Sequence, residues 1–533
     1  MPVPNASLIL HTASQPPLTR RHLLRGAVAL AAASLATPMR PRGVQAQARF
    51  TGYPFTLGVA SGCPLPDSVV LWTRLAPEPL AGGGIEPGRA LEVRWEVAAD
   101  EHFTTLVQQG KVWAAHELGH SVHVEVQGLE PARWYWYRFL VGEEVSPVGR
   151  TRTAPAVGTM PERLRWALAS CQHYEQGYFS AYRHMAEDDI ELVLFVGDYI
   201  YESAGREQLV RRHAGPEPYT LVEYRNRYAQ YHTDPDLQRM HALAPWLVTW
   251  DDHEVDNDYA NDQSEHLDPQ FLSRRAAAYQ AYYEHMPLRP SARPRGPHLR
   301  LYERYTFGNL LQVYLLDARQ YRSPQACPRP GIGGSTTVQA TQCPDLRDPA
   351  RTLLGSEQEA WLLAGLRASH TRWNVLAQQT LMAQVDQHPG PGQSFWTDGW
   401  DGYPVARNRL LTAIADIRPA NPLVLGGDVH SYWVCDLKPD FDNPQSPVVA
   451  TEVCGTSITS QGLPQERLDA WRAENPHVKF ARSDTRGYVQ LDITPERCLA
   501  HLRGLDSVKK RSSTVTTLAS YMIDNGRPGA TLA

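Results

Sequence analysis

Two hydrophobic patterns divide the chain. From residue 49 to 155, apolar and polar positions alternate over short runs, the period of a half-buried strand. Residues 91–97 and 122–126 alternate, 68–73 runs apolar, and 134–139 is aromatic and strand-like. From Leu164 the pattern changes. The wholly apolar run 192–196 reads as a strand buried on both faces, and the mostly apolar runs 164–170, 246–250, 310–316, 373–377 and 422–426 as further strands. Between them, residues 178–189, 219–231 and 274–285 carry apolar positions at helical spacing. A further helix is expected from Ser356, with Ser356 as its cap and Glu359 three residues on.

The pattern predicts an α/β protein of two parts. Residues 49–155 form an N-terminal all-β domain. Gly128-Leu129-Glu130-Pro131 before an aromatic strand resembles the E–F corner of a fibronectin- or immunoglobulin-like sandwich. Residues 162–533 alternate strands with helices, and 153–161 is a Pro- and Gly-bearing linker.

Composition adds compartment and excludes some partners. Residues 1–48 contain five arginines, no lysine and no acid, which leaves −10 on the remainder of a chain of net charge −5. An acidic body argues against a nucleic-acid binder acting through a general basic field. Arg20-Arg21, a short Ala-rich run and Ala46-Gln47-Ala48 resemble a twin-arginine export signal with its cleavage site. That segment implies the twin-arginine export machinery as a partner and a periplasmic or extracellular address. No later run approaches the ~20 apolar residues a membrane span needs. In an oxidising compartment Cys327 and Cys343, bracketing a Pro- and Gly-rich loop, are expected to pair, and Cys435 with Cys454 to form a second bridge.

Candidate chemistry sits where the apolar runs stop. Cys171, Asp198, Asp252-His253 and Asp428-Val429-His430 each follow one directly. Singly, each has an ordinary explanation: an Asp bonding its own turn, an inert buried thiol, a Tyr at 201 packed by its ring. Together they supply what a pair of metals needs, one bridging carboxylate plus O, N and S donors from separate strands. Open α/β sheets bind ligands at these strand ends.

Gly197-Asp198, Asp252-His253-Glu254 and Gly427-Asp428-Val429-His430 resemble calcineurin-type metallophosphoesterase motifs. Those read Asp-x-His, Gly-Asp, Gly-Asn-His-Glu and Gly-His-x-His. Here Cys171 stands at the first, Asp252 replaces Asn and Asp428 replaces His. These departures, with Tyr201 three residues after Asp198, resemble the PhoD-type alkaline phosphatases. So do Leu57-Gly58-Val59-Ala60-Ser61-Gly62, Leu316-Asp317-Ala318-Arg319-Gln320-Tyr321-Arg322, Asp398-Gly399-Trp400-Asp401-Gly402-Tyr403 and Gly455-Thr456-Ser457-Ile458-Thr459-Ser460. The resemblance covers the whole mature chain and implies a metallophosphoesterase β-sandwich flanked by helices.

It further implies a site. Cys171, Asp198 and Tyr201 would bind Fe3+, with His430 a further ligand. Asp198 would bridge to Ca2+, completed by Asp252, Asp428 and Asn257 or Asp258; Zn2+ or another divalent metal is an alternative. Relatives often carry two Asn at the last pair, so Asp258 alters the local charge. His253 would stabilise or protonate phosphate oxygens, and Arg319 and Arg322 are candidates for binding phosphate. The tail 512–533 is expected as a helix over the pocket.

The implied reaction is hydrolysis of a small phosphate ester by a metal-held hydroxide attacking in line. Phosphodiesterase or phospholipase-D-like activity is the alternative within the family. A Cys171 acyl hydrolase with His173 or His253 as base would leave Asp198, Tyr201, Asp252 and Asp428 unused. A non-catalytic binding protein would leave the whole ligand set unused. Cys171 also lacks the Cys-x5-Arg cradle of a cysteine phosphatase, since Gly177 stands six residues on.

Overall fold

A computed structural model describes residue 50 and residues 52–533. The expected export segment lies outside the described residues. Among the described residues no helix is long and apolar enough to cross a membrane.

Two large sheets organise the body. In one, the strands Leu164–Ala169, Leu192–Val196 and Trp246–Thr249 run parallel and adjacent. In the other, Leu311–Leu315, Trp373–Ala377, Pro422–Gly426 and Ala450–Cys454 run parallel. The first sheet has ten strands and the second seven. The central strands are buried on both faces, in keeping with their mostly apolar sequences. Leu168, Val193 and Val489 from one sheet and Val313, Val375 and Val453 from the other belong to a single buried cluster. The sheets therefore face each other across one core.

Helices cover the outer faces. Ala181–Glu187, Leu221–His232, Pro235–Leu243 and Phe271–His285 bury Tyr182, Tyr228, Met240 and Tyr282 in the cluster of the ten-stranded sheet. Ser356–Ala368 and Pro404–Ile417 pack Leu362, Leu366, Leu410 and Ile414 against Tyr314, Leu376 and Val424 of the other. This is the expected α/β architecture.

Several details differ from the sequence reading. The helix expected from 178 begins only at Ala181; the segment before it is anchored by the Val508 carbonyl, which accepts the Tyr178 N–H at 2.8 Å. Ser356 is the first helical residue rather than the cap; Gly355, at φ +76°, occupies that place. The tail is not a helix over the pocket. Val515–Asp524 pairs with Arg497–Leu505 at the edge of the ten-stranded sheet. Toward its end the buried Tyr521 and Ile523 alternate with half-buried neighbours, as suits a strand with one face on the core, and the short strand Thr531–Leu532 pairs outside it.

The disulfide Cys327–Cys343 is present. Cys435 and Cys454 are free. They lie on neighbouring antiparallel strands, but Glu452 faces Cys435 and Trp433 faces Cys454. That register makes them diagonal partners, ~7–8 Å apart, beyond the Cβ separation a bridge tolerates.

The N-terminal strands form the expected sandwich but share a sheet with the rest. Leu91–Ala98, Leu106–Ala114, Trp134–Val141 and Gly149–Arg152 build one layer. Val59–Leu65, Ser68–Arg74 and Ser121–Gln127 build the other. Val93, Val97, Tyr137, Leu71 and Val124 fill the space between. At the predicted corner, the Tyr135 hydroxyl accepts the Glu130 N–H at 2.9 Å. The second layer continues the ten-stranded sheet, with Gly62 paired to Trp246.

Gly62 makes that junction possible. A Cβ there would stand 2.7 Å from the Pro287 carbonyl oxygen and 2.8 Å from that of Trp246. Gly62→Ala should destabilise the protein by about 1–3 kcal/mol, the usual penalty for forcing an extra carbon into a packed interior. A fall in the midpoint of thermal unfolding, read by circular dichroism, checks this.

Candidate metal centre and active site

The parallel strands of both sheets end on one side of the molecule. Leu164–Ala169 delivers Cys171, Leu192–Val196 delivers Asp198 and Tyr201, and Trp246–Thr249 delivers Asp252 and His253. From the second sheet, Pro422–Gly426 delivers Asp428 and His430. Gln379 joins the sheets here: its amide nitrogen Nε2 donates to Thr249 Oγ1, the Trp250 carbonyl and the Leu316 carbonyl at 2.8–2.9 Å.

Tight local conformations aim these side chains. Cys171, Asp198, Asp258, Asp428 and His430, five of the eight candidate ligands, have φ between +51° and +64°. Non-glycine residues rarely adopt such angles, and surrounding contacts must hold them there. Glu254 does much of this. Its carboxylate accepts the backbone N–H of Asp198 at 3.1 Å, Tyr199 at 2.6 Å and Asp251 at 2.9 Å, tying two strand ends together. Ser460 Oγ lies 2.9 Å from the Cys171 carbonyl and 2.8 Å from the Tyr201 phenol oxygen.

Three groups of donor atoms result, each within 4.8 Å of one another: Cys171, Asp198 and His430; Asp198, Asp252 and His253; Asp252, Asp258 and Asp398. Asp198 belongs to two groups and Asp252 to two. The Tyr201 hydroxyl donates to Asp198 Oδ2 at 2.7 Å and lies 3.0 Å from His430 Nε2, within the first group. Asp428 is in none of the three groups but lines the same cavity as Asp198 and His430. Asn257 also lines it, its amide nitrogen donating to Glu265 at 3.0 Å.

The donor set fits cations. Asp198 Oδ1 and Asp428 Oδ2 are buried with no hydrogen-bond partner. An unpaired buried carboxylate oxygen is expensive, and a metal ion satisfies it. Burial, then neighbouring charge, pushes several of these groups away from ionisation. Asp428 is raised well above the usual carboxylate range by desolvation and Asp251, and Cys171 is raised by desolvation and Asp198. Asp258 is pushed up to about 7 by desolvation, then Asp398 and Asp252. Asp198 is the exception: burial opposes its charge, but His253, His430 and Tyr201 together lower it to about 2. It is the ionised centre of the cluster.

His253 is placed with care. Its ring stacks on Tyr201, centroids 4.1 Å apart, and Tyr201 meets His173 at 4.4 Å. Its Nδ1 lies 2.7 Å from Glu202 Oε2. Burial works against the charged ring, yet Glu202, Asp252 and Asp198 outweigh it and raise His253 well above the usual histidine range.

Arg319 and Arg322 lie elsewhere than the sequence reading expected. Both are fully buried and neither lines the cavity. Arg319 pairs with Asp251 and with Asp398 at 2.8 Å; Arg322 pairs with Asp398. They neutralise carboxylates beneath the cluster, holding Asp398 below its usual range despite burial. Glu254 and Asp398 stand inside motifs quoted above, but no role was assigned to them, and Glu202, next to Tyr201, was not named; all three are buried.

Strand-end carboxylates, a thiol, a phenol and imidazoles gathered over two facing sheets define a metal-dependent hydrolase. The family model described as PhoD-like phosphatase matches residues 166–502, and that of the PhoD-like phosphatase N-terminal domain matches 40–155. The chain belongs to the PhoD-like phosphatase family, and it is an enzyme. It is 46% identical over 525 residues to alkaline phosphatase D of Bacillus subtilis (strain 168), covering 96% of this chain and 88% of that protein. A solved structure described as PhoD superposes with a TM-score of 0.87 at 46% identity, covering 91% of this chain and 93% of that one.

Gly197 introduces Asp198 at φ +110°, and a Cβ there would lie 2.5 Å from the Asp251 Cβ. Gly197→Ala should therefore displace Asp198 and reduce bound metal; elemental analysis of the purified variant beside the parent measures it.

Proposed function

We propose that this chain is an exported alkaline phosphatase that hydrolyses small phosphate esters at a centre of Fe3+ and Ca2+. The observation that carries the reading is Asp198, an ionised carboxylate common to two donor groups with one oxygen unpartnered. The donors differ in kind on its two sides. Cys171, Tyr201 and His430 offer sulfur, phenol oxygen and imidazole, which favour a transition metal such as iron(III). Asp252, Asp258 and Asp428, with Asn257, offer oxygen alone, which favours a hard cation such as Ca2+. When bound, the metals supply an activated water nucleophile and neutralise charge developing on the phosphoryl oxygens.

The chain's own residues do the rest. Asp198 holds the two sides of the centre at a fixed spacing. His253, charged and oriented by Glu202, presents a proton to a phosphate oxygen or to the departing alcohol. Tyr201 fixes the face of that ring. The cavity runs on past the ligands for a total of about 460 Å³, which favours phosphodiester hydrolysis as the second reading. Export by the twin-arginine route rests on Arg20-Arg21 and Ala46-Gln47-Ala48.

Metal analysis of untreated protein, with assays on a nitrophenyl monoester and a bis-nitrophenyl diester, tests the reading. Iron with calcium and metal-dependent turnover are expected; turnover without iron would remove the Fe3+ assignment. Asp198→Ala should abolish activity and lower the content of both metals, whereas normal loading would contradict a shared ligand. Glu202→Gln should keep its metals and lower kcat by about 10–100-fold, the usual effect of losing a partner that orients an active-site group.

A further inference from the structure

The cavity that holds the donor groups is also lined by Trp396, Trp433, Trp471, Val385 and Leu463, with the polar Gln461 and Arg467 among them. A phosphate group needs little of this space, so the walls face whatever the phosphate is attached to.

Two of the tryptophans have no donor to offer. The Trp396 indole N–H donates to Ser335 Oγ at 3.0 Å, and that hydroxyl reaches Asp258 Oδ2 at 2.5 Å. The Trp433 indole N–H donates to Ser431 Oγ at 2.8 Å, next to His430. Tryptophan usually uses its N–H and its ring surface together. With the N–H groups spent on the protein, only ring surface can face the cavity: the half-buried Trp396 offers most of it, and Trp433, 2% exposed, only an edge of the wall. The same two bonds tie the rings to the segments that carry Asp258 and His430, so the apolar wall and the donor groups are held in register.

The outer wall is apolar as well. Trp471 is half-buried on the helix Gln465–Glu474, and Leu463 just before that helix is 39% exposed. Apolar side chains grouped at the mouth of a polar centre mark a ligand-binding surface.

We infer that this region is a subsite for the alcohol portion of the substrate, and that it selects phosphate esters whose alcohol carries a planar aromatic ring. The inference rests on the phosphatase reading above and adds the class of ester that the centre takes. The ring packs against the tryptophan and leucine side chains of the cavity wall while the phosphate lies at Asp198, Asp252 and Asp428. Selection acts through stacking and exclusion of water, with no hydrogen bond from the indoles to the ring.

The test compares 2-phenylethyl phosphate with ethyl phosphate on the metal-loaded full chain. Both release a primary aliphatic alcohol, so their intrinsic reactivities match and kcat/KM reports the ring. A preference for the phenylethyl ester of about tenfold or more is expected, on the scale of an apolar group placed in a matching pocket. Trp471→Ala should shrink that ratio several-fold and Trp471→Phe should restore most of it. Leu463→Ser, at an exposed position that threatens folding little, should shrink it in the same direction. A ratio near one in the parent enzyme, or a ratio unmoved by both Trp471→Ala and Leu463→Ser, would overturn the aromatic subsite alone. Failure to hydrolyse either ester would overturn the phosphatase reading with it.

Discussion

A charged carboxylate held in the interior is the constraint on which this structure turns. Asp198 ends a strand buried on both faces, and burial alone would neutralise it. It stays ionised because two imidazoles and a phenol surround it, while one oxygen is left for a ligand that the protein's own donors do not supply. The neighbouring acids and the Cys171 thiol are driven the opposite way, toward protonation. Such an assembly is poorly balanced by itself. Cations balance it, so metal binding and the local fold are parts of one equilibrium.

Much of the surrounding architecture keeps that carboxylate in place. Gly197 permits the turn, Glu254 gathers the N–H groups of two strand ends, and Gln379 fastens one sheet to the other. Beneath them, Arg319 and Arg322 lock Asp251 and Asp398. Removing one partner of such a buried pair leaves an uncompensated charge, a loss of several kcal/mol. These arginines therefore act as foundations for the cluster, although their charge suggested a place beside the phosphate. Farther out, the N-terminal sandwich contributes to the same sheet through Gly62, so it is structurally continuous with the strand that carries Asp252.

The cavity combines two environments that rarely coexist without a reason. Part of its lining is acidic and aimed at cations; part is aromatic, with indole donors turned into the protein. His253 lines the same cavity, its ring held against Tyr201 and its charge by Glu202.

The sequence determined the elements and the kind of chemistry. Mostly apolar runs marked the central strands to within a residue or two, because a strand buried on both faces has room for few polar positions; the amide nitrogen of Asn374, one of them, donates to the Ala420 carbonyl. The residues after those runs carried the ligand types, since a strand end is where a polar side chain escapes the core. Tertiary structure decided what depends on distance. Cys435 and Cys454 looked like a pair until the strand register placed them diagonally. The tail, expected as a helix, became an edge strand because a sheet edge was available to receive it. Arg319 and Arg322 carry the charge phosphate needs, but a chain turn pointed them at Asp398. Glu202 and Glu254 were invisible as partners because their roles lie in contacts made 51 and 55–56 residues away. Local pattern fixes which face of an element is buried; only packing fixes which side chains meet there.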